Sequence, residues 1–408
     1  MKQNKRIVYI LFLICILSCK QEKPIATGQT ESGLYIIDID AVSTKEKIKL
    51  SDYFSKAKII PLETSEKCLI GDIGGVQVTD EYLFVLDTHT AKTIFMFNKQ
   101  GRFIRKIGSV GIGPDQYASV SDFTLDQKNN VIYLMDTNGS KILKYNYNTG
   151  AFISAIPFHN NQGLARFIQY HDGKLYTDMF FHNVKQKEKY MLQEIDLSSG
   201  EVIKTWINPD IYNKGVHEES FMNESFFYSR NQGSPKYMQS LMDTVLSLQD
   251  NEVKAYLAIK DKLWVTPEDV ERIKKTDSDN PVPFITSRFF TQNKSYNIFN
   301  FVEVKDLIFF RFVRNQKFYT VLYNINTNQL NVTTNLQNDL VYKDAFSLME
   351  NVACADDKGI YTYLDSEMLP YFMEQKEKGN VKSNINAKGI LDKIGEDPNP
   401  VIFYYESK

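Results

Sequence analysis

Beyond residue 20 the sequence has no run of the eighteen or so apolar residues that a membrane-spanning helix needs. It has no surplus of one charge either. Lysine plus arginine number 48 against 50 aspartates and glutamates, a formal charge of −2. Loss of Lys2, Lys5 and Arg6 with a leader would make that −5, so net charge draws no nucleic acid to the body and none is expected as a partner. Cysteine is scarce, four in 408 residues, with Cys15 and Cys19 near the N-terminus. The other two, Cys68 and Cys354, form no CxxC or Cys/His zinc spacing and read as buried free thiols, which an oxidising compartment could pair only if the fold brought them together. The five histidines, His89, His159, His171, His182 and His217, show no i, i+4 metal spacing. No Gly-x-Ser-x-Gly elbow occurs and no Ser/His/Asp set can be assembled from sequence order. No cofactor is expected.

What is present is apolar and aromatic. Hydrophobic residues make up 43% of the chain, with 24 Tyr and 27 Phe, enough to bury a large core and to favour strands. At the N-terminus Lys2, Lys5 and Arg6 precede the apolar stretch 7–17, which is too short to span a bilayer and suits a signal peptide over 1–18. The stretch ends in Ile16-Leu17-Ser18-Cys19, which resembles the lipobox of bacterial lipoproteins, where the cysteine is lipidated and becomes the first residue. The alternatives are an ordinary leader or an uncleaved anchor with a chance cysteine. The expectation is lipidation at Cys19, a tether over 19–45 with one short apolar stretch at 34–39, and a folded body over 46–408.

The body repeats. Tyr82–Asp87 is followed by Ile94 to Phe97 and by Gly101 to Ile104. Forty-nine residues later Val131–Asp136 is followed by Ile142 to Tyr145 and Gly150 to Ile153, with Asp87 matching Asp136 and Gly101 matching Gly150. A further strand precedes each unit, at Gly75–Val78 and at 120–125. Four short strands in a period of 40 to 50 residues mark a propeller blade, which must stack on neighbours because it cannot bury both faces alone. A third copy runs through 175–178, 192–196 and Val202–Trp206; a fourth, degenerate, through 226–229, 237–241, 245–248 and 253–259; a fifth through 299–304, 307–313, 319–325 and 330–333. The sixth has Asn351–Ala355 and 359–363, and then runs short. Strands at 401–405 and 58–62, one from each end of the body, would complete it and close the ring. The predicted fold is therefore all-β, a six-bladed propeller of four-stranded blades, with two short helical insertions at 266–275 and 364–378.

A family resemblance rests on these residues. Lys49 to Phe54, Ile60 to Thr64 and Leu69 to Gly71 look like the opening of the six-bladed propeller lipoproteins common in Bacteroidetes, which are related in pattern to NHL-repeat propellers. Phe103 to Gly108, Gly111 to Pro114, Tyr117, Asp122-Phe123 and 132–136 resemble the family's crossover from blade 1 to blade 2, and Asn399 to Ile402 fits its close. The sequence departs at Asp115-Gln116, where glycine and glutamate are usual. The resemblance implies the fold; it brings no shared catalytic residue.

The G-x-x-G-x-G of Gly108 to Gly113 precedes strands and not a helix, so it reads as an inter-blade turn and not a phosphate loop. Asp277 to Asn280 lacks the glycine and distal glutamate of a calcium loop. Asp356-Asp357 sits in a hairpin turn, unsuited to paired acid and base work. Propellers gather loops from every blade at a channel mouth. On this map that face carries Asp115, Gln116, Tyr117, Asp122, Arg166, His217, Tyr228, Arg230 and Arg288 as candidate ligand contacts, with Tyr117 also suited to plugging between blades. The leading expectation is a non-catalytic binding or scaffolding module, lipid-anchored at the envelope, at the outer membrane, recognising a glycan, peptide or partner protein. The alternatives are a propeller enzyme of the lactonase, lyase or glycan-cleaving kind with an axial metal to which His217 could contribute, and a purely structural subunit of an outer-membrane complex.

Overall fold

The computed structural model describes residues 27–158, 165–179, 190–212, 227–228, 233–249, 251–276, 288–343, 350–365, 367–385, 389–394 and 398–408, with backbone alone at Phe227, Tyr228 and Lys393. The leader, Cys19 and the stretch 277–280 lie outside these residues.

Within strands the side chains alternate, and the alternation builds the ring. In Tyr82–Asp87, Leu83 and Val85 pack towards the last blade, whereas Phe84 and Leu86 pack towards the second. In Val131–Asp136, Ile132 and Leu134 face the first blade, and Val131, Tyr133 and Met135 face the third. Each such strand is apolar on both faces because each face meets a neighbouring sheet. That is why these runs are nearly uninterrupted in hydrophobicity.

Six antiparallel blades result. From inner to outer strand, blade 1 is Gly75–Val78, Tyr82–Asp87, Thr93–Asn98 and Phe103–Ile107, and blade 2 is Asp122–Asp126, Val131–Asp136, Lys141–Asn146 and Phe152–Pro157. Blade 3 is Ile168–His171, Lys174–Asp178, Leu192–Ile195 and Val202–Trp206; its inner strand is absent from the sequence reading. Blade 4 holds Phe227–Tyr228, Lys236–Tyr237, Thr244–Gln249 and Glu252–Lys260, and blade 5 holds Ser295–Val304, Leu307–Arg314, Lys317–Asn324 and Gln329–Thr333. Blade 6 is Asn351–Ala355, Gly359–Leu364, Val401–Ser407 and Phe54–Pro61, so both ends of the body complete it as predicted. Val401 stands opposite Pro61, Ile402 opposite Ile60 and Tyr405 opposite Ala57. The helical insertions are Pro267–Thr276 and Leu369–Glu377.

The aspartate that ends the second strand of the early blades has a structural task. Asp87, buried, accepts the N–H groups of Gly71 (2.7 Å), Thr90 (2.8 Å) and Ala91 (3.0 Å). Asp136 accepts those of Ala118 (2.8 Å), Ser119 (3.1 Å) and Gly139 (2.8 Å). Asp178 accepts those of Arg166 and Phe167, both at 2.8 Å. Each carboxylate thus ties the crossover entering its blade to its own hairpin end, satisfying N–H groups that would otherwise be buried unpaired. The matching glycines Gly101, Gly150 and Gly200 have φ of +79°, +78° and +73°, the left-handed turn conformation before each outer strand.

The stretch read as tether continues into the fold. Gly28–Gln29 and Tyr35–Asp38 form a hairpin, and Tyr35–Asp38 adds in parallel to Glu252–Lys260, making blade 4 six-stranded. Ile48–Lys49 then pairs in parallel with Leu336–Gln337, just beyond blade 5, before the chain enters blade 6 at Phe54. The N-terminal segment is therefore a strap along the outer edges of three successive blades.

Candidate functional site

The inner strands start at the crossover end of the channel, and there the loops enclose a cavity of about 670 Å³. Blade 1 contributes Asp72 and His89, blade 2 Ser121 and Asn138, blade 3 Arg166, blade 5 Asn300, and blade 6 Asn351 and Tyr363. The polar groups are one acid, one histidine, one arginine, and amides and hydroxyls, each on a different loop or strand end. His89 Nδ1 lies 2.8 Å from Asp72 Oδ2, with the two side chains 71% and 49% exposed, so the pair stays open to the cavity. Ser121 Oγ is held 2.7 Å from Thr137 Oγ1.

Blade 5 shapes this mouth by an irregularity. Its inner strand shifts register twice, between Tyr296 and Phe299 and between Phe299 and Val302. Asn297 and Asn300 both have φ of +52° there, a left-handed conformation that asparagine tolerates better than most residues. Asn297 Oδ1 accepts the Leu241 N–H of blade 4, and Asn300 Nδ2 donates to the Val352 carbonyl of blade 6 at 3.0 Å. The bulges turn one strand into a bridge between three blades and set Asn300 on the cavity wall.

The acids behind the wall are tuned by burial. Burial pushes the Asp122 carboxyl up to about 8, opposed by the N–H of Ile168, which donates to Oδ2 at 2.8 Å. Burial likewise raises Asp178 to about 7, against the pull of its two backbone donors and of the Arg166 charge. The Asp122 carboxyl joins blades 2 and 3, the Asp178 carboxyl holds the crossover entering blade 3, and neither lines the cavity. A second opening of about 850 Å³ lies at the hairpin end, with Asp80, Asp126 and Asp172 at equivalent turns of blades 1 to 3.

Of the residues predicted to form the face, Arg166 lines the cavity. Asp122 stands behind it, as just described. Tyr117 is fully buried between blades 1 and 2, its hydroxyl 2.7 Å from Thr93 Oγ1 and donating to the Ile107 carbonyl at 3.3 Å. The Asp115 carbonyl accepts from the Tyr145 hydroxyl at 2.5 Å, and Gln116 Oε1 accepts from the Gly113 N–H at 3.0 Å, so the crossover folds back over blade 2 and away from the axis. In this loop Gly108 has φ +67°, and a Cβ there would meet the Tyr145 hydroxyl at 2.6 Å; strands follow, as the turn reading of the glycine motif requires. Arg288 precedes the buried Phe289 at the entry to blade 5 and does not line the cavity. His217 and Arg230 lie outside the described residues, as does the Tyr228 side chain. The sequence alone does not point to Asp72, and His89 shows no metal spacing; seventeen positions apart, the two carry no motif. Among the described residues no three of His, Cys, Asp and Glu gather to hold a metal, and Cys68 and Cys354 are free thiols.

Solved structures align with the chain, and one of them shares this architecture. An exported protein of Bacteroides fragilis aligns with 89% of this chain and 99% of its own at 17% identity and a TM-score of 0.69. A member of the DUF4221 family from Bacteroides vulgatus aligns with 86% of this chain and 96% of its own at 15% identity and a TM-score of 0.48. No curated protein matches the chain. At such identities the likeness speaks for the fold alone. A family profile reaches further into the sequence: residues 34–406, the ring together with most of its strap, match the domain of unknown function DUF4934, and the chain belongs to that family.

Proposed function

We propose that the protein is exported, held at the cell envelope by lipid on Cys19, and that its propeller is a non-catalytic module binding a glycan at the crossover mouth. Peptide and partner protein are the other ligand classes. The observation that carries this reading is the convergence of Asp72, His89, Ser121, Arg166, Asn300 and Asn351 from five blades on one cavity of about 670 Å³. Hydroxyls, amides and isolated charges spread around a rigid wall suit a ligand that presents many hydroxyl groups and little net charge. Export and the anchor are supported by the charged, apolar and then Ser18-Cys19 pattern. Outer-membrane residence and kinship with NHL-repeat propellers belong to the same proposal; the latter is what the resemblance of residues 49–71 and 103–136 to the propeller lipoproteins implies. Calorimetry of the purified protein against a panel of oligosaccharides and peptides tests it. Saturable binding of a saccharide supports the reading; binding of peptides alone, or of neither class, refutes the glycan assignment.

The open His89–Asp72 pair favours a second reading, a lactonase, lyase or glycan-cleaving enzyme. An axial metal would draw on His217. Stoichiometric metal that is lost in His217→Ala, with turnover of a bound saccharide, would select this reading over the first.

A further inference from the structure

We infer that the rim of blade 4, at the end of its sheet next to the crossovers, is the part of the body that lies against the lipid bilayer. The inference rests on the proposed lipidation of Cys19. The strap decides where the anchor can leave. Gly28 pairs with Ile36, antiparallel to a strand that itself runs parallel to Glu252–Lys260, so the chain before Gly28 points towards the Lys260 end. Thr27 Oγ1 accepts the Asp38 N–H at 3.3 Å, and Asp38 stands opposite Lys260, the last residue before the crossover to blade 5. From Thr27 to Cys19 are eight residues, which fully extended reach at most about 29 Å.

The strap is fixed well enough to hold that position. Ile37 is fully buried, and the buried Asp38 carboxylate pairs with Lys260 Nζ at 2.6 Å. The Tyr35 ring meets Tyr256 of blade 4 and Tyr323 of blade 5 edge-on, at 5.4 and 6.1 Å between centroids. Further along, Lys45 N–H donates to the Val332 carbonyl at 2.7 Å, and Ser51 Oγ donates to Asp339 at 2.6 Å. A pull on the anchor therefore loads blade 4 and not the ring-closing strand Phe54–Pro61. The crossovers on either side of blade 4 each expose a large apolar side chain, Ile211 at 68% and Phe290 at 41%. Both belong to the end of the sheet from which Thr27 leaves, where a lipid surface would cover them.

The test uses the full, lipidated chain in phosphatidylethanolamine and phosphatidylglycerol vesicles carrying an energy-transfer acceptor on the lipid headgroup. Donors are attached through Ile211→Cys, near blade 4, or Lys128→Cys, on the opposite hairpin face of blade 2. Cys68 is fully buried, and the half-buried Cys354, which lines the hairpin-end opening, is replaced by serine in both donor variants so that it does not take up label. Energy transfer several-fold greater from position 211 than from 128 is expected; equal or reversed transfer, with the protein still vesicle-bound, overturns the orientation alone. Failure of the wild-type chain to stay with membranes any better than Cys19→Ala overturns the anchor reading and the orientation with it. Circular dichroism of each labelled variant, matching the wild type, separates these results from misfolding.

Discussion

The Asn399 side-chain oxygen accepts the Ile70 N–H at 2.8 Å, joining two residues 329 positions apart. The same amide donates to the carbonyls of Glu63 (2.7 Å) and Cys68 (2.5 Å), and the Asn399 N–H donates to Thr64 Oγ1 at 3.0 Å. The opening motif of the body and its closing motif are thus two halves of one buried clasp, beside the strand pairing of Val401–Ser407 with Phe54–Pro61. Asn399→Ala would strand the Ile70 N–H and the Cys68 carbonyl and leave the Glu63 carbonyl only the weak Cys68 thiol donor, so a loss of about 2 kcal/mol is expected. A lowered urea midpoint with an unchanged slope checks it; an unchanged midpoint would show that the clasp is idle.

Tyr117 offers a cleaner partition between packing and hydrogen bonding. Tyr117→Phe keeps the plug between blades 1 and 2 but leaves the Thr93 hydroxyl without its buried partner, a loss of about 1–2 kcal/mol. Tyr117→Ala also opens a cavity and should lose about 3–5 kcal/mol. Thermal unfolding of the two variants should rank them in that order, and near-equal losses would mean that the ring itself contributes little.

Asp122 gives a pH signature. The unfolded carboxyl titrates near 3.8, whereas burial holds the folded one near 8. Between those values the folded state retains a proton that the unfolded state has lost, so this group makes stability fall as pH rises from about 4 to about 8. Asp122→Asn keeps an acceptor for the Ile168 N–H and removes the charge. The variant should be more stable than the wild type above pH 8. The advantage should shrink steadily towards pH 4. A variant less stable at pH 8.5 would contradict this assignment.

The ring was legible in the sequence because blades 1 and 2 keep their strand spacing, their Asp and their turn glycine across 49 residues. The two lone terminal strands made sense only as a closed blade, and the register of Ile60 with Ile402 bears that out. The inner strand of blade 3, Ile168–His171, is four residues long with a polar Gln169, too little pattern to separate it from a loop. The strap reads as a tether with one apolar stretch at 34–39, because Tyr35–Asp38 becomes a strand only through its partner on blade 4, a tertiary event that a short apolar stretch between polar, glycine-containing flanks does not announce. The mouth was legible as a place and hardly as a set of residues. Asp115 and Gln116 do lie in a crossover, but that loop turns back on Tyr145, and Asn300 reaches the wall through bulges that strand periodicity conceals.

Ligand binding at the crossover mouth should depend on the side chains that line it. The most direct test compares binding of the best saccharide by the wild type, by Arg166→Ala at that mouth and by Lys128→Ala at the opposite one. Arg166→Ala is predicted to weaken binding tenfold or more, about 1.4 kcal/mol, while Lys128→Ala binds like the wild type. Unchanged binding by Arg166→Ala together with a loss in Lys128→Ala would place the site at the other end of the channel and rule out the crossover mouth.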